Sequence, residues 1–194
     1  MNQHLIVKKS PIEGSGIFAG KDFKKGERIC FMRGKAVNFA TYATLHKKGN
    51  IRVSADPLQV GLLKYITLHD PFNLINHSCN PNAWMKGEQT LVALKPIRKG
   101  EEITYDYSSV EWTPQAYPPY YTDGWPMCCR CGSSSCRRKI SCFPYLPKQV
   151  RAKYIVKKIV PNHIMKKLSW PIEQKRCFVC EAELKINYPT SGPS

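Results

Sequence analysis

The chain has 194 residues, 42% of them hydrophobic, which is enough for one domain with a real core plus a small appendage. No apolar run approaches the roughly 20 residues that cross a bilayer, and the opening Met1-Asn2-Gln3-His4-Leu5-Ile6-Val7-Lys8-Lys9 lacks the ordered segments of a signal peptide, so an intracellular protein with no membrane partner is expected. Net charge is +16 and uneven: residues 1–125 carry 16 Lys+Arg against 11 Asp+Glu, whereas residues 126–194 carry 14 against 3, a field that draws polyanions or simply forms a solvated basic face.

In chain order, residues 4–9 and 17–19 read as two short strands around a turn-rich insert, Ser10-Pro11-Ile12-Glu13-Gly14-Ser15-Gly16. Lys24-Lys25-Gly26-Glu27 is a turn before Arg28–Met32, and Lys99-Gly100-Glu101-Glu102 is a similar turn before a strand at Ile103-Thr104-Tyr105. Further β-rich pieces are expected at Ile51–Val53, Leu58–Val60, Tyr65–Leu68 and Thr90–Leu94, giving a mostly β domain of several small sheets. Residues 111–126 mix Pro114, Pro118, Pro119 and Pro126 with Tyr117, Tyr120, Tyr121 and Trp125, a linker or lid. Val150, Tyr154 and Ile155 lie at helical spacing within Pro147–Ile159, and a shorter helix is expected over Asn162–Leu168. Asn187–Ser194 has the composition of a disordered tail.

Nine cysteines in a chain of this kind are expected to be metal ligands or spectator thiols rather than a disulfide framework. Cys129-Arg130-Cys131-Gly132-Ser133-Ser134-Ser135-Cys136 supplies three closely spaced thiols, and tetrahedral zinc needs a fourth. Cys128 and Cys131 also have ligand spacing. Cys177 and Cys180 form a lone Cys-x-x-Cys, as readily two apolar thiols as half of another site, and Cys30 and Cys142 read as core or spectator.

Two motifs carry the chemistry. Asn73-Leu74-Ile75-Asn76-His77-Ser78-Cys79-Asn80-Pro81-Asn82 is followed by Gly100-Glu101-Glu102-Ile103-Thr104-Tyr105-Asp106-Tyr107, and Glu13-Gly14-Ser15-Gly16-Ile17-Phe18-Ala19 precedes both. Together they resemble the signatures of the SET domain family, over roughly residues 5–142, with Cys129–Cys136 resembling its post-SET zinc motif. The resemblance implies a β-clip-like fold of several small sheets with a threaded C-terminal segment, followed here by a helical C-terminal extension. It divides the chain into a SET core at 1–110, the linker or lid at 111–126, the zinc motif at 127–143 and a basic, partly helical extension at 144–194.

The same resemblance implies methyl transfer from S-adenosylmethionine to a protein lysine, histone or other. It places Gly14, Ser15, Gly16, Asn76 and His77 against the cofactor, Asn76 through its side chain and His77 mainly through its backbone, with Ile140 or Phe143 packing on the adenine ring. Tyr107 would align the amine. Tyr105 would restrict the room around it, favouring monomethylation, while Tyr105 and Tyr107 could also be alternating strand residues with Asp106 structural on the other face. Structural zinc would sit on Cys79, Cys129, Cys131 and Cys136, the family register favouring Cys129 over Cys128. Arg138-Lys139 stands where the motif commonly has glycine, and Arg137-Arg138-Lys139 could alternatively touch phosphates or an acidic peptide.

A monomer is expected, nuclear in a eukaryotic host and cytoplasmic otherwise. The competing reading is a catalytically inactive, zinc-stabilised basic module that binds nucleic acid or chromatin through the basic C-terminal third.

Overall fold

The computed structural model describes residues 3–38, 57–62, 64–112 and 127–169. The expected strand at Ile51–Val53, residues 113–126 of the linker expected at 111–126, the tail, Cys177 and Cys180 lie outside them, whereas the first two linker residues, Glu111 and Trp112, are buried. Short antiparallel strands dominate, with two α-helices among the described residues.

β1 (Leu5–Lys9) and β2 (Ser15–Ala19) form a hairpin with Leu5 opposite Ala19 and Lys9 opposite Ser15. β2 buries Ile17 and Ala19 because alternate residues of a strand share a face. β3 (Arg28–Phe31) pairs with β8 (Thr90–Ala93), which also pairs with β7 (Ala83–Lys86). A third sheet sets β6 (Lys64–Leu68) between β4 (Gly34–Asn38) and β5 (Pro57–Gln59). β4 approaches β6 closely at Gly34, where a Cβ would stand 2.3 Å from the Thr67 carbonyl oxygen. β9 (Met127–Cys128) and β10 (Lys139–Ile140) close the cysteine segment.

The two lysine-glycine turns adopt similar backbones, with Gly26 at φ +81° and Gly100 at φ +89°, a region open to glycine because it has no Cβ. Beyond the second turn the chain departs from expectation. Ile103-Thr104-Tyr105 is not a strand: Glu102 and Tyr105 make isolated bridges to Phe18 and His77, and Tyr107–Ser109 coils into a 3-10 turn. Tyr105 and Tyr107 therefore do not alternate on a strand.

Ile17, Phe23, Ile29, Met32, Leu91, Ile97 and Ile103 fill the main core beneath these sheets. Each such side chain contributes on the order of 1.5–3 kcal/mol by leaving water. A second core joins Trp112, Phe143, Leu146, Tyr154 and Ile164, with Trp84 and Leu94 of the β-domain packed against it. Through it α1 (Lys148–Val156) and α2 (Asn162–Leu168) dock on the sheets. His163, itself buried, reaches Glu88 at 2.5 Å and the Val110 carbonyl oxygen at 2.8 Å, which pins α2 to the β7–β8 hairpin.

Candidate active site and cysteine cluster

The glycine loop is held from beneath by a polar network. Ser10 Oγ donates to the Glu102 carboxylate (2.8 and 3.0 Å) and accepts the Ile12 N–H (2.9 Å). Asn76 Nδ2 donates to Glu102 Oε1 at 2.8 Å and to the carbonyl oxygens of Glu13 and Ser15, each at 3.2 Å. Its amide hydrogens are thus spent on the loop and on Glu102. Gly14 lies at φ +48° with open space where a Cβ would project, whereas a Cβ on Gly16 would collide with Glu102. Gly14, Ser15, Gly16 and Asn76 are therefore one unit.

His77 comes next in the chain, paired in parallel with Tyr105. That bridge uses the Asn76 carbonyl and the Ser78 N–H, so the amide and carbonyl of His77 itself are directed away from Tyr105. This is the orientation that a ligand reading the His77 backbone requires, and with the open Gly14 loop it fits an S-adenosylmethionine-like cofactor.

The His77 ring is 4% exposed, and burial lowers its pKa to about 4 against the pull of Asp106, with Arg137 lowering it further. Its Nδ1 accepts the Tyr107 N–H (3.2 Å), so the proton is on Nε2, which faces Cys79 Sγ at 3.4 Å. The ring is neutral, and the 3.5 Å approach of Nδ1 to Asp106 Oδ1 is not an ion pair.

Tyr107 is half-buried, and its hydroxyl donates to the Ile75 carbonyl oxygen at 2.7 Å. Its ring meets His77 edge-on (centroids 5.4 Å apart) and the buried Tyr105 at 4.9 Å. The hydroxyl proton is committed to Ile75, so towards any further group the oxygen can act only as an acceptor. Both motifs meet at this point, because Ile75 and His77 belong to the first and Tyr105 and Tyr107 to the second.

Sγ atoms of Cys79, Cys129, Cys131 and Cys136 all lie within 4.8 Å of one another, and Cys128 is exposed and outside the group. A tetrahedron with Zn–S bonds of about 2.3 Å has S–S edges of about 3.8 Å. Cys79 and Cys129 stand 3.7 Å apart. Backbone N–H groups are aimed at the sulfurs: Arg137 at Cys79 (3.3 Å), Arg138 at Cys136 (3.4 Å) and Cys79 at Cys131 (3.5 Å). At Cys131, burial works against ionisation but the N–H groups of Cys79 and Ser133 outweigh it, bringing the thiol to about 7. Burial instead pushes the Cys79 thiol up to about 11 and holds Cys129 above the ordinary thiol range, so it is the near-tetrahedral spacing of the four sulfurs, rather than a uniformly acidic set, that fits a structural zinc.

Arg138 adopts φ +62°, the left-handed backbone that glycine reaches without strain, so the path continues without the motif glycine. Ile140 is buried, and Phe143 is fully enclosed and stacked on Trp112 with centroids 6.2 Å apart. Phe143 is thus a core residue with no face for an adenine.

Sequence reasoning did not find Ser10, Glu102, Arg137 or Tyr154 in these networks. Asp106, expected to be structural on a strand face, instead caps the Tyr107 turn. It accepts Ser108 N–H and Arg137 at Oδ1 (3.1 and 2.7 Å) and the Tyr154 hydroxyl at Oδ2 (2.7 Å). An open cleft between β3 and the Asp70–Phe72 turn, lined by Arg28, Phe31, Arg33 and His69, contains none of the motif residues.

The SET domain family model matches residues 14–108. The Arabidopsis thaliana histone-lysine N-methyltransferase ASHH3 is 29% identical over 147 residues, covering 70% of this chain and 38% of that protein. The Drosophila virilis histone-lysine N-methyltransferase trithorax is 28% identical over 153 residues, covering 71% of this chain and 4% of that protein. The chain thus spans well under two thirds of the length of these relatives. A solved humanized mutant of the Chaetomium thermophilum Polycomb Repressive Complex 2, bound to an inhibitor, aligns over 57% of this chain and 16% of that chain, at 19% identity and a TM-score of 0.49.

Proposed function

Residues 14–108 are a SET domain, and from that premise we propose that this chain is a protein-lysine N-methyltransferase, with Tyr107 as its catalytic residue and a structural zinc on Cys79, Cys129, Cys131 and Cys136. The observation that carries the reading is the convergence of Asn76, His77, Tyr105 and Tyr107 on one site, Tyr107 being fixed by the Ile75 carbonyl.

S-adenosylmethionine supplies the electrophilic methyl group when bound. The glycine loop braced by Asn76 and Glu102 would hold it, together with the outward-facing backbone of His77. A lysine amine has a pKa near 10.4, so at pH 7 only about one in 2,500 is neutral, a gap of about 4.6 kcal/mol. The aromatic walls of Tyr105 and Tyr107 disfavour the ammonium by desolvation. With its own proton donated to Ile75, the Tyr107 hydroxyl accepts a hydrogen bond from the amine and aligns the nitrogen lone pair. Tyr105 packs 4.9 Å from Tyr107 and narrows the room for an amine that already carries methyl groups, which favours monomethylation. The zinc would take no part in the chemistry and would tie the post-SET segment to Cys79.

The substrate class we propose is histone, since the relatives are named for histone lysine, and the place of action is the nucleus. Among the described residues no helix is long and apolar enough to cross a membrane. The unit is taken as a monomer with a SET core at 1–110, a zinc motif at 127–143 and a basic extension after it.

One observation favours a second reading: residues 127–169 contain eleven Lys or Arg and no Asp or Glu. A zinc-stabilised module that only bound nucleic acid would use that charge, and contact with DNA is also compatible with catalysis. Incubating the purified chain with tritiated S-adenosylmethionine and core histones separates the two. Label in histone supports the transferase. DNA binding that weakens steeply with salt, without any label, supports the binding module.

A further inference from the structure

We propose that Tyr154, on a helix beyond the segment matched by the SET model, is a positioning residue for the turn that carries Tyr107. The inference rests on the reading of Tyr107 as catalytic. It deepens that reading by making the C-terminal helices part of the active unit.

Asp106 is 1% exposed and precedes Tyr107 directly. Its carboxylate caps the 3-10 turn through Ser108 N–H, and its carbonyl oxygen accepts Ser109 Oγ at 2.6 Å and Ser109 N–H at 2.9 Å. The orientation of Asp106 therefore sets that of the turn. Two residues fix this orientation from outside. Arg137 holds Oδ1 at 2.7 Å from the cysteine segment, and the Tyr154 hydroxyl holds Oδ2 at 2.7 Å from α1.

Tyr154 is itself anchored, 5% exposed in the second core with Phe143, Leu146 and Ile164. Burial and the neighbouring carboxylate keep its phenol above the ordinary range, so it remains a donor. Removing that single hydroxyl leaves Oδ2 buried without the donor that fixes it, and a carboxylate in that position rotates towards other donors. The turn then shifts, and Tyr107 with it. Ring packing in the second core would persist, because phenylalanine fills the same space.

The test is Tyr154→Phe in the full chain. Turnover should fall roughly tenfold while KM for S-adenosylmethionine and for the histone substrate stay within about twofold. Zinc content and the protection of α2 amides should match wild type, and hydrogen exchange at Ser108–Val110 should accelerate. Val156→Ser, at an 80% exposed position on the same helix, should change none of these. In an Asp106→Ala background, where the hydroxyl has no side chain to hold, Tyr154→Phe should cost nothing more. Unchanged turnover and exchange would overturn the proposal, as would a loss of turnover that tracks loss of zinc or of α2 protection. If wild type transfers no methyl group, the catalytic reading fails and exchange alone decides the coupling, with unchanged Ser108–Val110 protection overturning it.

Discussion

Gly16→Ala tests whether the glycine loop is a shaped cofactor cradle. A Cβ at residue 16 would stand 2.3 Å from Glu102 Oε1, 2.9 Å from Glu102 Cδ and 3.1 Å from Asn76 Nδ2. A carboxylate at the end of a free side chain would swing away at little cost. This one is held by Ser10 at 2.8 and 3.0 Å and by Asn76 at 2.8 Å, so moving it breaks two charge-assisted contacts. Such bonds contribute about 1.5–3 kcal/mol each when buried; with Glu102 only half-buried, the combined loss is about 2–3 kcal/mol. If that loss falls on the loop, the cofactor Kd rises roughly 30- to 150-fold. Isothermal titration with S-adenosylhomocysteine measures the change directly. Glu102→Ala removes the obstacle, so the double variant should bind no worse than Glu102→Ala alone. Gly16→Ala binding within about threefold of wild type, less than 1 kcal/mol, would refute the reasoning.

Three further outcomes are expected. Cys79→Ser should lower bound zinc and methyl transfer together, as read by atomic absorption and label incorporation; loss of neither would remove Cys79 from the metal set. Tyr105→Phe should shift products towards di- and trimethyl-lysine, and product ratios unchanged by mass spectrometry would count against a volume restriction at Tyr105. Glu111 is enclosed, and burial pushes its carboxyl up to about 8 although the Gln59 N–H pulls the other way. In the unfolded chain it returns to its ordinary value near 4.5. The folded state therefore holds a proton between about pH 4.5 and 8 that the unfolded state has released, so stability falls as pH rises through that window and is lowest above it. Glu111→Gln should remove a drop of a few kcal/mol between urea midpoints at pH 5 and pH 9, whereas equal slopes for both proteins would exclude Glu111 as its source.

The parts of the fold that were legible in the sequence are those written in local pattern. The helix at Asn162–Leu168 follows from its spacing between Pro161 and the residues beyond, and the strand at β8 from a compact β-branched run. β4 was not legible, because Gly34-Lys35-Ala36-Val37-Asn38 has weak strand propensity and is held by its close approach to β6. The strand expected at Ile103–Tyr105 failed for a related reason. Its backbone bonds are scattered, Ile103 to Ile17, Thr104 to Ala83 and Tyr105 to Asn76 and Ser78 on either side of His77, so no ladder forms, and Asp106 captures Ser108 N–H to start a 3-10 turn instead. At the site, residue types and spacing name Asn76, His77, Tyr107 and the cysteines. They do not reveal that Glu102 braces residues some 90 positions earlier, or that Tyr154 reaches Asp106 across 48 positions. Those contacts depend on tertiary placement, and a serine, a glutamate or a helical tyrosine carries no local mark of it.

Tandem mass spectrometry of histones incubated with S-adenosylmethionine and either wild type or Tyr107→Phe tests the central claim most directly. Wild type should place one methyl group on a lysine side chain, and Tyr107→Phe should place none while still binding S-adenosylhomocysteine and retaining zinc. Equal lysine methylation by the two proteins would contradict the role given to Tyr107, and no methylation by wild type on any histone lysine would contradict histone methyl transfer itself.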